Sequence, residues 1–168
     1  PTSWEAKTST GTFGTLKGLV EGIDSSNSVT IELLSDVTLT EAINIPKDRN
    51  ITINGNDPTI FYAVDSPKVA FTGVGPVETT GVQQEGIPEN VSLTVNDTTF
   101  ENTSSTSAGY AVLLDFNAFG TEIVMNGCTF KNLYTAVYIN PVTEEGSTPK
   151  LTITGCTYTN TTYGYSVD

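Results

Sequence analysis

Histidine is absent from these 168 residues, and the only arginine is Arg49. Serine and cysteine nucleophiles normally require a histidine as their general base, so a catalytic triad or a thiol protease is not expected. The two cysteines, with no histidine to join them, are also too few ligands for a zinc site. The composition therefore points away from nucleophilic catalysis and from zinc chemistry.

Basic residues are scarce, because 7 lysines and arginines stand against 19 acidic residues, a formal net charge of −12. Nucleic acid and anionic membrane surfaces attract basic proteins, so neither is an expected partner. No run approaches the ~20 apolar residues that cross a bilayer, and membrane insertion is not expected. We interpret the negative charge as a feature that keeps an exported protein soluble, with divalent-cation binding as the alternative.

Three segments of the sequence are copies of one another. Their aromatic residues Phe100, Phe130 and Tyr158 follow at spacings of 30 (130 − 100) and 28 (158 − 130). Repeats of this length indicate a stacked array in which each unit buries its apolar face against its neighbours. The copies are SLTVNDTTFEN (Ser92 to Asn102), EIVMNGCTFKN (Glu122 to Asn132) and KLTITGCTYTN (Lys150 to Asn160).

The pattern within one copy predicts strands. Leu151 and Ile153 alternate with threonines, and Gly155 permits a bend before the next alternating set. Short strands joined by bends, with no helix between copies, form one turn of a parallel β-helix, in which equivalent residues stack about 4.8 Å apart. The predicted inward columns are Leu93/Ile123/Leu151, Val95/Met125/Ile153, Phe100/Phe130/Tyr158 and the hydrogen-bonding amides Asn102/Asn132/Asn160.

With this periodicity and these columns, the sequence resembles the right-handed parallel β-helix proteins of the pectate-lyase-like superfold. The resemblance covers roughly Val29 to Asp168 and implies an all-β solenoid domain, residues 29–168, of about six turns. The run VTIELLSDVTLTEAINIPKDRNITING also resembles the opening turns of bacterial surface β-helices. We interpret the spacings of 20 (51 − 31) from Ile31 to Ile51 and 18 (69 − 51) from Ile51 to Val69 as early turns.

Residues 1–28 are predicted to form an N-terminal segment with a capping helix. Apolar residues in Gly14 to Asp24 recur at i, i+3, i+4 and i+7, which is typical of an amphipathic helix. Thr15 or Thr12 could supply the N-cap. The apolar positions are Leu16, Leu19, Val20 and Ile23.

The catalytic motifs of related architectures are missing. Polygalacturonase-like β-helices carry Asn-Thr-Asp, Asp-Asp, Gly-His-Gly and Arg-Ile-Lys motifs, and none occurs here. Pectate-lyase-like members pair calcium-binding acids with a basic residue that takes a proton. Arg49 stands in a turn with no acid cluster in register, and we interpret it as a solvated charge. No catalytic residue is carried over from the resemblance.

Cys128 and Cys156 hold the same position in their copies, where Thr98 stands in the preceding copy. This placement predicts an inward stack of small residues with free thiols. A disulfide is the alternative, because Cα atoms about 4.8 Å apart can be bridged, although parallel Cβ directions would strain the bond.

One outward constellation could bind a ligand. The segments AVLLD, AVYIN and GYSVD place Tyr138 beside a line of strand-end oxygens from Asp115, Asn140 and Asp168. An aromatic ring can stack on a pyranose while the oxygens bind its hydroxyls or, weakly, calcium. The alternative is that bends simply favour Asp and Asn. Gly73 to Asn90, rich in Gly, Pro and Glu, is predicted to be a protruding loop that could wall this surface.

The sequence as a whole favours a non-catalytic β-helix domain of a secreted or cell-surface protein, with an adhesion or glycan-binding role. This step rests on analogy with the fold. No cofactor is expected beyond weak calcium, and the expected partner is a polysaccharide or a host or cell-surface glycan. The last residues fall inside a turn of the repeat, so we expect an excised domain with further domains in the same chain. The alternatives are a fragment of a polysaccharide lyase or glycoside hydrolase, and a structural spacer or fibre segment like a phage spike.

Overall fold

The computed structural model describes residues 4–24, 28–46, 48–62, 69–72, 91–104, 107–114, 121–139 and 150–167. Short strands dominate this described part, which contains one short helix, and the all-β class is confirmed. The helix is α1 (Leu16–Glu21), and the strands are β1 (Ala6–Thr8), β2 (Phe13–Gly14), β3 (Ser28–Leu33), β4 (Val37–Leu39), β5 (Ile43–Asn44), β6 (Asn50–Asn54), β7 (Thr59–Tyr62), β8 (Val69–Thr72), β9 (Ser92–Asn96), β10 (Thr99–Asn102), β11 (Tyr110–Leu114), β12 (Glu122–Asn126), β13 (Thr129–Lys131), β14 (Thr135–Ile139), β15 (Lys150–Thr154), β16 (Thr157–Thr159) and β17 (Tyr163–Val167).

From β3 onward, successive strands enter three sheets in rotation, so that every third strand pairs in the same sheet. The first sheet has the order β15-β12-β9-β6-β3-β1-β2, the second β16-β13-β10-β7-β4 and the third β17-β14-β11-β8-β5. All of the pairs among β3 to β17 are parallel. The predicted parallel sheets are therefore confirmed, with five strands from this part of the chain in each sheet.

Alternation along each strand decides which side chains enter the core. In β6, Ile51 and Ile53 are fully buried, while Thr52 between them points to the other side of the sheet and is half-buried. The same alternation holds in β9 and β12, whose apolar residues complete the same columns. Burial of these aliphatic side chains contributes roughly 1.5–3 kcal/mol each relative to exposure, which outweighs the weak intrinsic preferences of such short strands.

The register predicted for the three copies is confirmed. Phe100 pairs with Phe130 and Phe130 with Tyr158, and the columns through Ile123 and Met125 align as predicted. Ring centroids lie 5.7 Å apart between Phe100 and Phe130 and 5.4 Å apart between Phe130 and Tyr158, both stacked. Phe100 and Phe130 are fully buried, whereas Tyr158, on the outermost strand β16, is 40% exposed.

The predicted spacings of the early turns are wrong. Ile31 pairs with Ile53, 22 residues later (53 − 31), and Ile51 pairs with Leu93, 42 residues later (93 − 51). Val69 lies in the third sheet and is not equivalent to Ile51 at all. Period-two alternation identifies strands but does not show which sheet each strand joins. Alternation alone therefore places Val69 in the wrong column.

The predicted asparagine column forms hydrogen bonds along the stack. Asn160 Nδ2 donates to Asn132 Oδ1 at 2.9 Å, and Asn132 Nδ2 donates to the Asn102 carbonyl at 3.2 Å. Asn102 is fully buried and donates in turn to the Asn132 carbonyl at 3.1 Å. The Asn102 and Asn132 amides thereby satisfy backbone carbonyls at the bends that follow β10 and β13, where unpaired polar groups would be costly.

The N-terminal segment contains a hairpin that the periodicity does not reveal. β1 pairs antiparallel with both β2 and β3, so it extends the first sheet beyond β3. The helix is shorter than predicted, six residues with Thr15 as its N-cap, whose hydroxyl accepts from the Gly18 amide at 3.0 Å. Leu16 and Val20 are fully buried, which agrees with a packed covering element.

Arg49 is not simply a solvated charge. Its Nε donates to the Ile23 carbonyl at 2.7 Å, in a partly buried position. This bond joins the end of the N-terminal segment to the turn before β6.

We expect Phe130→Ala to lower the free energy of unfolding by about 3–5 kcal/mol, because it removes a fully buried ring between two stacked aromatics. Tyr158→Ala is the matched control in the same column and should cost distinctly less, because its ring is already 40% exposed. Urea denaturation of both variants measures the difference. Equal losses would contradict the burial gradient along the column.

A second comparison concerns the bends after β12 and β15. Gly127 and Gly155 have φ of +62° and +63°, so an alanine at either position should cost about 1–2 kcal/mol in backbone strain. A Cβ at Gly127 would also lie 2.5 Å from Asp97 Oδ1, whereas one at Gly155 would meet nothing within 4 Å. Thermal or urea unfolding should therefore show Gly127→Ala as the more destabilised variant. A larger loss in Gly155→Ala would refute the contact between neighbouring bends.

Candidate functional site

The predicted ligand surface on the third sheet is only partly described. Tyr138 lies in β14, opposite Leu113 and Ser166 in register, as predicted. Its side chain is half-buried, and its ring lies 5.8 Å from that of Tyr110 at an interplanar angle of 53°. The other three predicted residues, Asp115, Asn140 and Asp168, lie outside the described residues, as does the loop Gly73 to Asn90. Their grouping with Tyr138 stays a prediction.

A second surface, which the sequence reasoning did not single out, covers the outside of the first sheet. We call it the outer polar face and define it by the outward side chains of β3, β6, β9, β12 and β15. Eleven of these fifteen side chains carry a hydroxyl or an amide, and pairing in register arranges all fifteen in three rows across the strands. The rows are Ser28/Asn50/Ser92/Glu122/Lys150, Thr30/Thr52/Thr94/Val124/Thr152 and Glu32/Asn54/Asn96/Asn126/Thr154.

Three asparagines form a hydrogen-bonded ladder on this face. Asn96 Nδ2 donates to Asn54 Oδ1 at 2.8 Å, and Asn126 Nδ2 donates to Asn96 Oδ1 at 2.9 Å. Each bond fixes one carboxamide against the next, so the polar atoms are held in place before any ligand arrives. The signal was present in the sequence, because an asparagine ends each of these three strands.

The charged side chains of the outer polar face and its neighbouring strand β1 balance one another. Lys7 Nζ lies 3.4 Å from Glu32 Oε2, and Glu122 stands opposite Lys150 in register. Two lysines against two glutamates give this surface no formal net charge, although the whole chain carries −12. The face therefore suits an uncharged polar ligand better than a polyanion or a polycation.

A groove runs along the N-terminal border of the outer polar face, between the β1–β2 hairpin and β6. Its volume is about 560 Å³, within the usual range of small-molecule sites. Its walls include an exposed aromatic ring, an ion pair and the turn that follows β6. The residues that define it are Lys7, Phe13, Glu32, Asn54, Gly55 and Asn56.

The two cysteines are free, as predicted, and each lies just before one of the paired strands β13 and β16. Cys128 is fully buried, and its thiol donates to the Val95 carbonyl at 3.4 Å. Cys156, half-buried, donates to the Met125 carbonyl at 3.5 Å. Burial raises the pKa of the Cys128 thiol from 9.0 to about 12, because the thiolate would lose its hydration.

Thiol labelling tests this environment. We expect a chromogenic disulfide reagent at pH 8 to modify Cys156 readily and Cys128 only after denaturation, because the buried thiol is protonated and inaccessible. The raised pKa of Cys128 also implies stability that is complete below pH 9 and is lost as the pH rises towards 12. The free energy of unfolding of Cys128→Ala should therefore fall less between pH 9 and pH 12 than that of the wild type. Rapid native labelling of Cys128 would contradict its burial.

Neither a membrane-spanning helix or metal cluster in the described part of the chain nor a match to a known protein indicates a function. Among the described residues, no helix is long and apolar enough to cross a membrane. The same residues contain no group of three or more His, Cys, Asp or Glu side chains that could hold a metal ion. No protein-family model, curated protein or solved structure matches the chain.

Proposed function

We propose that this chain is a non-catalytic β-helix domain of a secreted or cell-surface protein that binds glycans in adhesion. In this proposal the three sheets wind as a right-handed solenoid of the pectate-lyase-like superfold. Two features support that winding: successive strands enter the three sheets in turn, and their pairing is parallel. The outer polar face carries the functional part of the proposal.

The face supports glycan binding through the kind of groups that it presents. Hydroxyl and carboxamide side chains pair with sugar hydroxyls, both as donors and as acceptors. Within each row their spacing is set by the strands, about 4.8 Å from one side chain to the next, so a linear polymer lying along a row could contact several side chains at once. Repeated weak contacts along a polymer raise its apparent affinity over that of a single sugar.

The positions of the carboxylates favour binding over hydrolysis. Glycosidases hold two carboxyl groups about 5–9.5 Å apart across the scissile bond. On the outer polar face, Glu32 and Glu122 belong to β3 and β12, which are three strand spacings apart, about 14 Å. Each also lies beside a lysine. This pair is too widely separated for either glycosidase mechanism.

The Tyr138 surface remains a second candidate within the same function. Its half-buried ring, packed near Tyr110, leaves one part able to stack on a sugar. Asp115, Asn140 and Asp168 would supply oxygen ligands, with weak calcium binding as an accessory. The two surfaces lie on different sheets, so substitutions can separate them.

Binding to a panel of insoluble and soluble polysaccharides tests the proposal. We expect retention of the wild type by at least one neutral polymer, with a dissociation constant of roughly 0.1–1 mM per site. Thr94→Arg, in the middle row, should weaken binding about tenfold by blocking the face. Thr129→Arg is the matched control, because Thr129 is equally half-buried but lies on the second sheet.

Other outcomes discriminate between the alternatives. Loss of binding in Tyr138→Ala, with Thr94→Arg unchanged, would move the site to the third sheet. Retention that falls when calcium is chelated would assign a role to the ion. Release of reducing ends or unsaturated products from any polymer would overturn a non-catalytic role. If the wild type bound none of the polysaccharides, the glycan-binding role itself would be overturned.

A further inference from the structure

The groove beside the N-terminal hairpin lies where two departures from the repeat meet. One is the hairpin itself, whose strands β1 and β2 are antiparallel to their neighbours while all the others are parallel. The second is the connection from β6 to β7, four residues long, where the connections after β9, β12 and β15 have two. In a repetitive structure such exceptions are where a specific surface can develop.

Glycine at position 55 brings the longer connection against the next turn. A Cβ there would collide with the Asp97 carbonyl and come within 2.5 Å of Thr98 Oγ1. The Gly55 amide also donates to the Asn96 carbonyl at 2.8 Å. These contacts fix the wall of the groove that Gly55 and Asn56 provide.

The opposite wall places an aromatic ring next to an ion pair. Phe13, Lys7 and Glu32 are lateral neighbours on β2, β1 and β3. Phe13 is 48% exposed and is the single hydrophobic side chain among the residues that line the groove. Lys7 Nζ and Glu32 Oε2, 3.4 Å apart, stand beside it as a donor and an acceptor.

We infer that this groove is a binding subsite for a neutral pyranose, with Phe13 stacking on the apolar face of the ring and Lys7, Glu32 and Asn54 binding hydroxyls. The inference rests on the proposed glycan binding and names its substrate class. A volume of about 560 Å³ accommodates one or two sugar rings. The sugar would lie at the end of the asparagine row, so a polymer could continue along the outer polar face.

The same side chains argue against other ligands. A uronate or phosphate needs an unpaired cation, but Lys7 already faces Glu32, and the chain carries −12. An extended peptide needs several apolar pockets, and this groove offers one ring. The ligand that fits is therefore polar and uncharged, with one apolar face.

Titration of the ¹⁵N-labelled protein with methyl glycosides of glucose, galactose, mannose and xylose tests the subsite. We expect at least one glycoside to shift the amide resonances of Gly11, Gly14 and Gly55 saturably in the millimolar range. Phe13→Ala should weaken this binding about tenfold, and Phe13→Leu should do the same while preserving the apolar volume of the hairpin. Tyr165→Ala is the control, because it removes another exposed aromatic, on β17.

The outcomes separate this inference from the proposed function. Polysaccharide binding that is unchanged in Phe13→Leu, with no shifts at the groove, would overturn the subsite and leave glycan binding intact. Tighter binding of methyl glucuronide than of methyl glucoside would show that the substrate class is wrong. Absence of binding to every glycoside and every polymer would overturn both. Thermal unfolding of each variant verifies that the loss is local.

Discussion

In-register pairing of parallel strands is the constraint on which the rest of this structure depends. Once Phe100 pairs with Phe130, every residue of β10 and β13 has a fixed partner and a fixed face. A slip of one residue would turn Phe130 outward and bring Lys131 into the core. The apolar columns and the asparagine ladders are therefore consequences of the same in-register pairing in all three sheets, which burial stabilises in each.

The bends between sheets depend on a few backbone conformations. Asp97, Gly127 and Gly155 follow successive strands of the first sheet, and all have positive φ. Asn132 and Asn160 do the same after the second sheet. Glycine adopts this conformation without a steric penalty, and Asn and Asp tolerate it better than other residues. The small polar residues that look like sequence bias thus set where the chain changes direction.

This dependence explains what the sequence could predict. The copies that begin at Ser92, Glu122 and Lys150 share apolar positions and the asparagine that ends each copy, so the sequence alone aligns their columns. The early strands have unequal connections, and alternation alone gave the wrong partner for Ile51. The hairpin was missed because β1 and β2 have only three and two residues, too few for a periodic signal. The outward strand position of Tyr138 follows from alternation alone, but the outer asparagine ladder resembles an ordinary solvated face until the register is known.

The repeated rows of the outer polar face and the groove at its border differ in what they could contribute to the proposed glycan binding. The repeated rows of the outer polar face give many equivalent, individually weak contacts, which suit a repeating polymer and do not distinguish one sugar from another. Discrimination between sugars needs a concave place that combines groups of different chemistry. The hairpin and the long β6–β7 connection create such a place at one border of the face, where Phe13, an ion pair and an amide meet. In the proposed glycan binding, affinity along the rows and selectivity at their end are therefore separable, because the proposal assigns them to different parts of the same sheet.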